Sequence, residues 1–345
     1  MLSGEYAVLK GGIAVSSTID SFLTVEASQD PLETSNGGIL IESDLWKKPQ
    51  LLEINSSQDD AKEASRQLHS DPLVESVRLG AKLFSVGGNV RVAVRSDFPP
   101  AHGVGSSSAL RLGVLFALRE FTKVTETPTI SDFDLITEAY NLQKASQVYA
   151  SGYDFANQYF GGLISFSLQK ESWADRVSSC PPLSNSPLKD LIHIIAGGRG
   201  APTSQTIETQ MGWLESGTRW NQLIKLAENF SSLLQSFYAS TATNPDTILK
   251  CLVQWSSAHH ALFSGSPAYP HHLDQAFQNL PGYNHDWSVK TTGAGGEDAL
   301  LFFGYEKDIS SVINTLKRFG WSPFRYKFGT KGLQWKSRKG VGATP

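Results

Sequence analysis

Along the chain, apolar positions alternate between short β-like runs and longer stretches at helical spacing. Residues 6–9 and 13–15 are β-prone and are separated by the turn signal Lys10-Gly11-Gly12; residues 22–25 continue in the same style. A polar stretch over 28–36, closed by Gly37-Gly38, reads as a hairpin connection or surface loop. Residues 58–84 place Leu68, Leu73, Val74, Val77, Leu79 and Leu83 at helix-like intervals, with Pro72 near a helix start. Residues 90–94 alternate valine with arginine and predict a strand.

Further helices are predicted over 110–118, 132–148, 206–237, 245–263 and 308–319, with a short helical or loop element opened by Asp154. Strands are predicted over 163–168, 191–196, 299–303 and 324–328, and residues 336–345 read as a basic tail. No fixed-period repeat is visible. Strands and helices do not alternate regularly, so the pattern predicts an α+β fold. The chain is long enough for two domains, and the change to long helices near residue 200 divides it into an N-terminal domain, 1–200, and a C-terminal domain, 201–345.

Two loops carry the densest chemistry. In Pro99-Pro100-Ala101-His102-Gly103-Val104-Gly105-Ser106-Ser107-Ser108-Ala109, a rigid turn feeds a Gly/Ser loop and then a helix. Glycines let backbone approach an anion, and a helix N-terminus adds amide donors and the positive end of its dipole. The loop has no lysine, so it is not the common lysine-containing phosphate loop. Its bland alternative is a turn with serine caps. The second loop, Thr291-Thr292-Gly293-Ala294-Gly295-Gly296, precedes a strand and allows close approach of a ligand or another element. Asp154, behind Ser151-Gly152-Tyr153, is placed either as a general base for a hydroxyl or as a helix cap. Glu5, in Ser3-Gly4-Glu5-Tyr6, is an acid at an element start.

Charge and cysteine content narrow the class. The formal net charge of -3 and pI near 6.2 argue against a general nucleic-acid binder. Cys180 and Cys251 lie far apart and form no metal spacing, which suits free thiols in a reducing compartment. No apolar run approaches the roughly 20 residues of a membrane helix. The start lacks the pattern of a signal peptide. The expectation is a cytoplasmic protein, monomer or homodimer.

Three of these segments, in order, resemble motifs of the GHMP kinases, the superfamily of galactokinase, homoserine kinase, mevalonate kinase and phosphomevalonate kinase. Gly4-Glu5-Tyr6-Ala7-Val8 resembles the first motif, residues 99–109 the second and residues 290–296 the third; Ser151-Gly152-Tyr153-Asp154 is similar to the segment holding the catalytic aspartate in the mevalonate branch. The resemblance implies an N-terminal domain like ribosomal protein S5 domain 2 and a ferredoxin-like C-terminal domain. It implies an ATP-dependent kinase in which Pro100, Gly103, Val104, Gly105, Ser106, Ser107, Ser108 and Ala109 bind ATP. It also implies Ser107 as a Mg2+ ligand and Asp154 as the catalytic base. Glu5, Tyr6, Ser151, Gly152, Thr292, Gly293, Ala294, Gly295 and Gly296 would then serve substrate and phosphate.

Glu5-Tyr6 and Gly296-Glu297-Asp298 look more like phosphomevalonate kinases than mevalonate kinases, so the implied substrate is phosphomevalonate, then mevalonate. Two departures stand beside this. The resemblance implies a Pro-Gly-Lys strand before Gly4, whereas this sequence opens Met1-Leu2-Ser3: either a piece upstream is missing or the lysine is. Gln143 stands where mevalonate kinases carry a metal-binding glutamate, and an amide is a poorer Mg2+ ligand. A kinase for another small alcohol such as a sugar, and a nucleotide-binding homologue without turnover, are the alternatives. Arg199, Lys144 and Arg111 are candidates to meet a substrate phosphate.

Overall fold

A computed structural model describes residues 1–30, 38–44, 46–53, 71–123, 130–147, 149–198, 203–239, 244–267, 269–293 and 295–335. The strands are β1 (Ala14–Ser17), β2 (Leu23–Gln29), β3 (Ile39–Ser43), β4 (Gln50–Leu52), β5 (Val90–Ser96), β6 (Leu163–Phe166), β7 (Val177–Cys180), β8 (Ile192–Ala196), β9 (Ser288–Thr291), β10 (Ala299–Phe303) and β11 (Phe324–Tyr326). The helices are α1 (Pro72–Leu83), α2 (Ser106–Thr122), α3 (Asp132–Ser146), α4 (Tyr153–Phe160), α5 (Trp173–Arg176), α6 (Thr203–Leu214), α7 (Arg219–Ala239), α8 (Pro245–Phe263), α9 (His271–Gln278) and α10 (Glu306–Arg318). The α+β expectation holds.

By contacts the chain forms two compact units that interleave in sequence. One comprises Met1–Asp20, Pro100–Val104 and Ser151–Gly332; the other comprises Ser21–Pro99, Gly105–Ala150 and Leu333–Pro345. The first therefore draws on both sides of residue 200.

The first unit holds two sheets. One is β1-β6-β7, antiparallel throughout. The other runs β11-β8-β10-β9, also antiparallel. Numbering its strands by chain order gives 4-1-3-2, the ferredoxin-like order implied by the resemblance. Every residue of β8, β9 and β10 is buried. Their apolar positions, with Leu273 and Phe277 of α9 and Ile309, Val312 and Leu316 of α10, close a core around Trp287 and Phe302. Strands covered on both faces read as continuous apolar runs, so residues 299–303 were legible as a strand.

The second unit lays α1, α2 and α3 beside the sheet β2-β5-β3-β4, in which β3 and β5 run parallel. Alternate residues of β5 are buried, as its Val/Arg alternation requires. Asp71 caps α1 by accepting from the Leu73 amide at 2.7 Å, with Pro72 in the first helical position. Ser131 caps α3 through the Asp134 amide.

Two expectations needed correction. Residues 7–10 form a 3-10 helix, not a strand, because Gly4 and Tyr6 take positive φ values of 91° and 59° and fold the chain back on itself. A Cβ at Gly4 would lie 2.2 Å from the Ile13 carbonyl oxygen, so only glycine fits there. The helix predicted over 206–237 is two helices: the Arg219 guanidinium stacks on Trp213 and bonds its carbonyl at 2.9 Å, closing the end of α6. Strands β3, β4, β7 and β9 and helix α9 were not predicted, being short or, in β9, carrying a lysine. Residues 58–70, Val148, Ala294, Arg199 and the tail 336–345 lie outside the described residues.

Candidate functional site

In the first unit the chemistry gathers at Glu5, Asp154 and Lys290. Glu5 ends the turn that Gly4 permits and is buried, 5% exposed. Lys290 extends from β9 and is 2% exposed. Its Nζ donates to Glu5 Oε1 at 2.5 Å and to the Thr291 carbonyl at 2.8 Å. Burial pulls the Lys290 amine below the ordinary lysine range, and Glu5 opposes that shift. The second Glu5 oxygen has no hydrogen-bond partner.

Asp154 lies in the first turn of α4, which follows Gly152 in a left-handed conformation. Burial raises the Tyr153 phenol, and the charges of Asp154, Glu5 and Tyr6 raise it further. Glu5, Lys290 and Asp154 also all act on the Met1 nitrogen. The sequence-predicted Glu5, Tyr6, Gly152 and Asp154 therefore belong to one neighbourhood, joined by Lys290, which opens the third motif but was assigned no role there. The signal was available: a lysine beside an apolar strand, just before a glycine loop, must find a partner if the strand is buried.

The two glycine loops meet within this unit. A Cβ on Gly293 would stand 3.9 Å from the Gly103 carbonyl oxygen. Gly103 itself has φ +64°, and a Cβ there would lie 2.6 Å from the Asp298 Cβ. Asp298 Oδ1 is buried without a hydrogen-bond partner, and burial, then Glu297, raise this carboxyl. Thr292 donates its hydroxyl to the Met1 carbonyl at 2.7 Å. Pro100 starts a short 3-10 turn that ends at His102, whose Nδ1 is 2.5 Å from the Tyr326 hydroxyl. Val104, Ser151, Gly295 and Gly296 are half-buried.

In the second unit, Gly105 caps α2 in a left-handed conformation, and Ser106, Ser107, Ser108 and Ala109 form its first turn. A helix start of this kind presents amides that have no carbonyl inside the helix. Ser108 turns its hydroxyl back to the Gly105 carbonyl at 3.0 Å. Ser107 Oγ instead accepts a short hydrogen bond from Arg111, one turn further along. Arg111 is 1% exposed; it also donates to Ser146 Oγ of α3 at 3.2 Å and pairs with Glu75 of α1 at 3.5 Å. Ser146 in turn donates to the Gln143 carbonyl at 3.0 Å. Gln143 is 9% exposed, and its side-chain oxygen has no partner. Lys144 lies over the Tyr140 ring.

Among the described residues, no group of three or more His, Cys, Asp or Glu is arranged to hold a metal ion. None of the described helices is long and apolar enough to cross a membrane.

Residues 73–162 match the family described as GHMP kinases N terminal domain. No curated protein matches the chain. Among solved structures, mevalonate kinase of Methanococcus jannaschii is 16% identical with a TM-score of 0.67, the match covering 95% of each chain. Phosphomevalonate kinase of Streptococcus pneumoniae, in complex with phosphomevalonate and AMPPNP, is 15% identical with a TM-score of 0.65, covering 95% of this chain and 97% of that one. Galactokinase of Lactococcus lactis, complexed with galactose, is 14% identical with a TM-score of 0.67, covering 96% and 92%. At these identities the likeness is one of fold.

Proposed function

We propose that this chain, whose residues 73–162 match the GHMP kinases N terminal domain, is a small-molecule phosphotransferase that moves the terminal phosphoryl group of ATP onto a small acid of the mevalonate pathway, phosphomevalonate ahead of mevalonate. The observation that carries the reading is the grouping of Asp154, Glu5 and Lys290 in the unit where the two glycine loops meet.

Phosphoryl transfer asks little covalent chemistry of a protein; it asks for position and charge. Asp154 is the group that accepts the proton of the acceptor hydroxyl as its oxygen attacks phosphorus. Lys290 is fully buried and held by Glu5, so its charge is fixed in place rather than carried by a mobile surface group. Backbone at Gly103 and Gly293 lacks the side chains that would block an approaching phosphate. The first turn of α2 supplies amide donors suited to phosphate oxygens. The complex of phosphomevalonate kinase with AMPPNP supports ATP as the donor. The Glu5-Tyr6 and Glu297-Asp298 pairs support phosphomevalonate as the acceptor.

The test is ADP release measured over a panel of mevalonate, phosphomevalonate, galactose and other sugars. The reading expects the highest kcat/KM with phosphomevalonate. Highest turnover with a sugar would replace the substrate class, and nucleotide binding without turnover of any acceptor would replace the activity.

A further inference from the structure

The second unit contains a buried cation at the place where the resemblance puts a metal ligand. A magnesium ion needs oxygen ligands at about 2.0–2.1 Å in a near-octahedral set, usually with a carboxylate among them. Among the described residues, no group of three or more His, Cys, Asp or Glu stands around Ser107 to provide that set. Gln143 offers a neutral amide, and Ser146 is a hydroxyl already bonded to Arg111 and to the Gln143 carbonyl. The Arg111 guanidinium, a formal positive charge, donates directly to Ser107 Oγ. A divalent cation on Ser107 would sit within a few ångströms of that positive charge, at a buried position where repulsion is weakly screened. Glu75 offsets only part of it, because the pair is 3.5 Å apart and the Glu75 side chain is 21% exposed.

The hydrogen bond bears on the ligand as well. A serine oxygen that accepts from arginine keeps its own O–H to donate, beside one remaining lone pair. That O–H can meet an anion. Nucleotide phosphate is such an anion, and the first turn of α2 is already built to meet one.

We propose that Arg111 is a positioning residue that replaces a protein-held metal: it fixes Ser107 as a donor to nucleotide phosphate and supplies the positive charge behind it. Gln143 belongs to the same substitution: its backbone carbonyl is joined to Arg111 through Ser146, and its neutral side chain, which donates to Gln147, brings no negative charge to that network. The inference rests on the kinase reading for its ligand but not on turnover.

The experiment is calorimetric binding of AMPPNP to the full chain, with excess Mg2+ or with EDTA. Wild type is expected to hold the nucleotide under both conditions, with dissociation constants within about tenfold of each other. Arg111→Met should lose more than about tenfold in EDTA, and Arg111→Lys should recover part of that loss. In Arg111→Met/Gln143→Glu, binding should become dependent on Mg2+. Thermal melting checks that each variant is folded, and Gln143→Glu alone, which keeps the arginine, should weaken binding in EDTA even if Arg111→Met does not fold. Wild-type binding seen only with Mg2+ would overturn the proposal while leaving the kinase reading intact. Absence of binding under both conditions would overturn the two together.

Discussion

At the scale of single residues, the site depends on charges placed where water does not reach. Lys290 and Glu5 are the clearest pair, because neither can be removed alone without stranding the other. Lys290→Met should lower unfolding free energy by about 3–5 kcal/mol, measured by urea titration, and Lys290→Met/Glu5→Gln should cost less than the single change. A larger loss in the double variant would mean that the pair does not carry the effect. Motif reading gave Glu5 a role but none to Lys290, although the lysine opens the third motif. A motif states which residue types recur; it does not state which charges are buried together. Arg111 was visible only as a charge near a motif. Its bond to Ser107 depends on a helix turn and on α3 packing beside α2, and neither is written in the loop itself.

At the scale of elements, sequence pattern served best where burial is uniform or strictly alternating. Strand β10 and helix α2 were legible because their apolar runs leave one solution. Strand β9 was not, since four residues containing a lysine carry no periodicity. The turn over residues 4–10 was read as a strand because β-prone side chains outvoted two positive φ values that side-chain type does not reveal.

Two predictions belong here. Gly103→Val would force a side chain into Asp298 at a left-handed φ, and should destabilise the chain by about 1–3 kcal/mol; an unchanged melting temperature would contradict the close approach of these loops. Helix α8 buries His259 between Trp255 and Phe263, and burial, then Lys290 and His260, hold its pKa well below the ordinary value. The unfolded chain takes up a proton below about pH 6.5 that folded His259 refuses, so stability should fall by up to about 1.4 kcal/mol per pH unit as pH drops from there. In His259→Phe that slope should flatten. A slope unchanged between pH 6.5 and 5 would assign the titration to other groups.

At the scale of the whole molecule, chain order and contact order diverge. Segments 1–20, 100–104 and 151–332 make one unit, so the second motif is divided: residues 100–104 fold with Asp154 and Lys290, and residues 105–109 fold with Arg111 and Gln143. Family resemblance supplied the order of motifs and the ferredoxin-like sheet. It did not supply this partition, because three-dimensional contacts of a long chain are not encoded in any one motif. The central claim is that Asp154, grouped with Glu5 and Lys290 in the first unit, is the base of a phosphotransferase. The most direct measurement is acceptor-dependent ADP formation by wild type and by Asp154→Asn, with AMPPNP affinity measured on both. The account predicts turnover with phosphomevalonate in wild type, a fall in kcat of about 10²–10⁴-fold in the variant, and equal nucleotide affinity. Undiminished turnover in Asp154→Asn would contradict it.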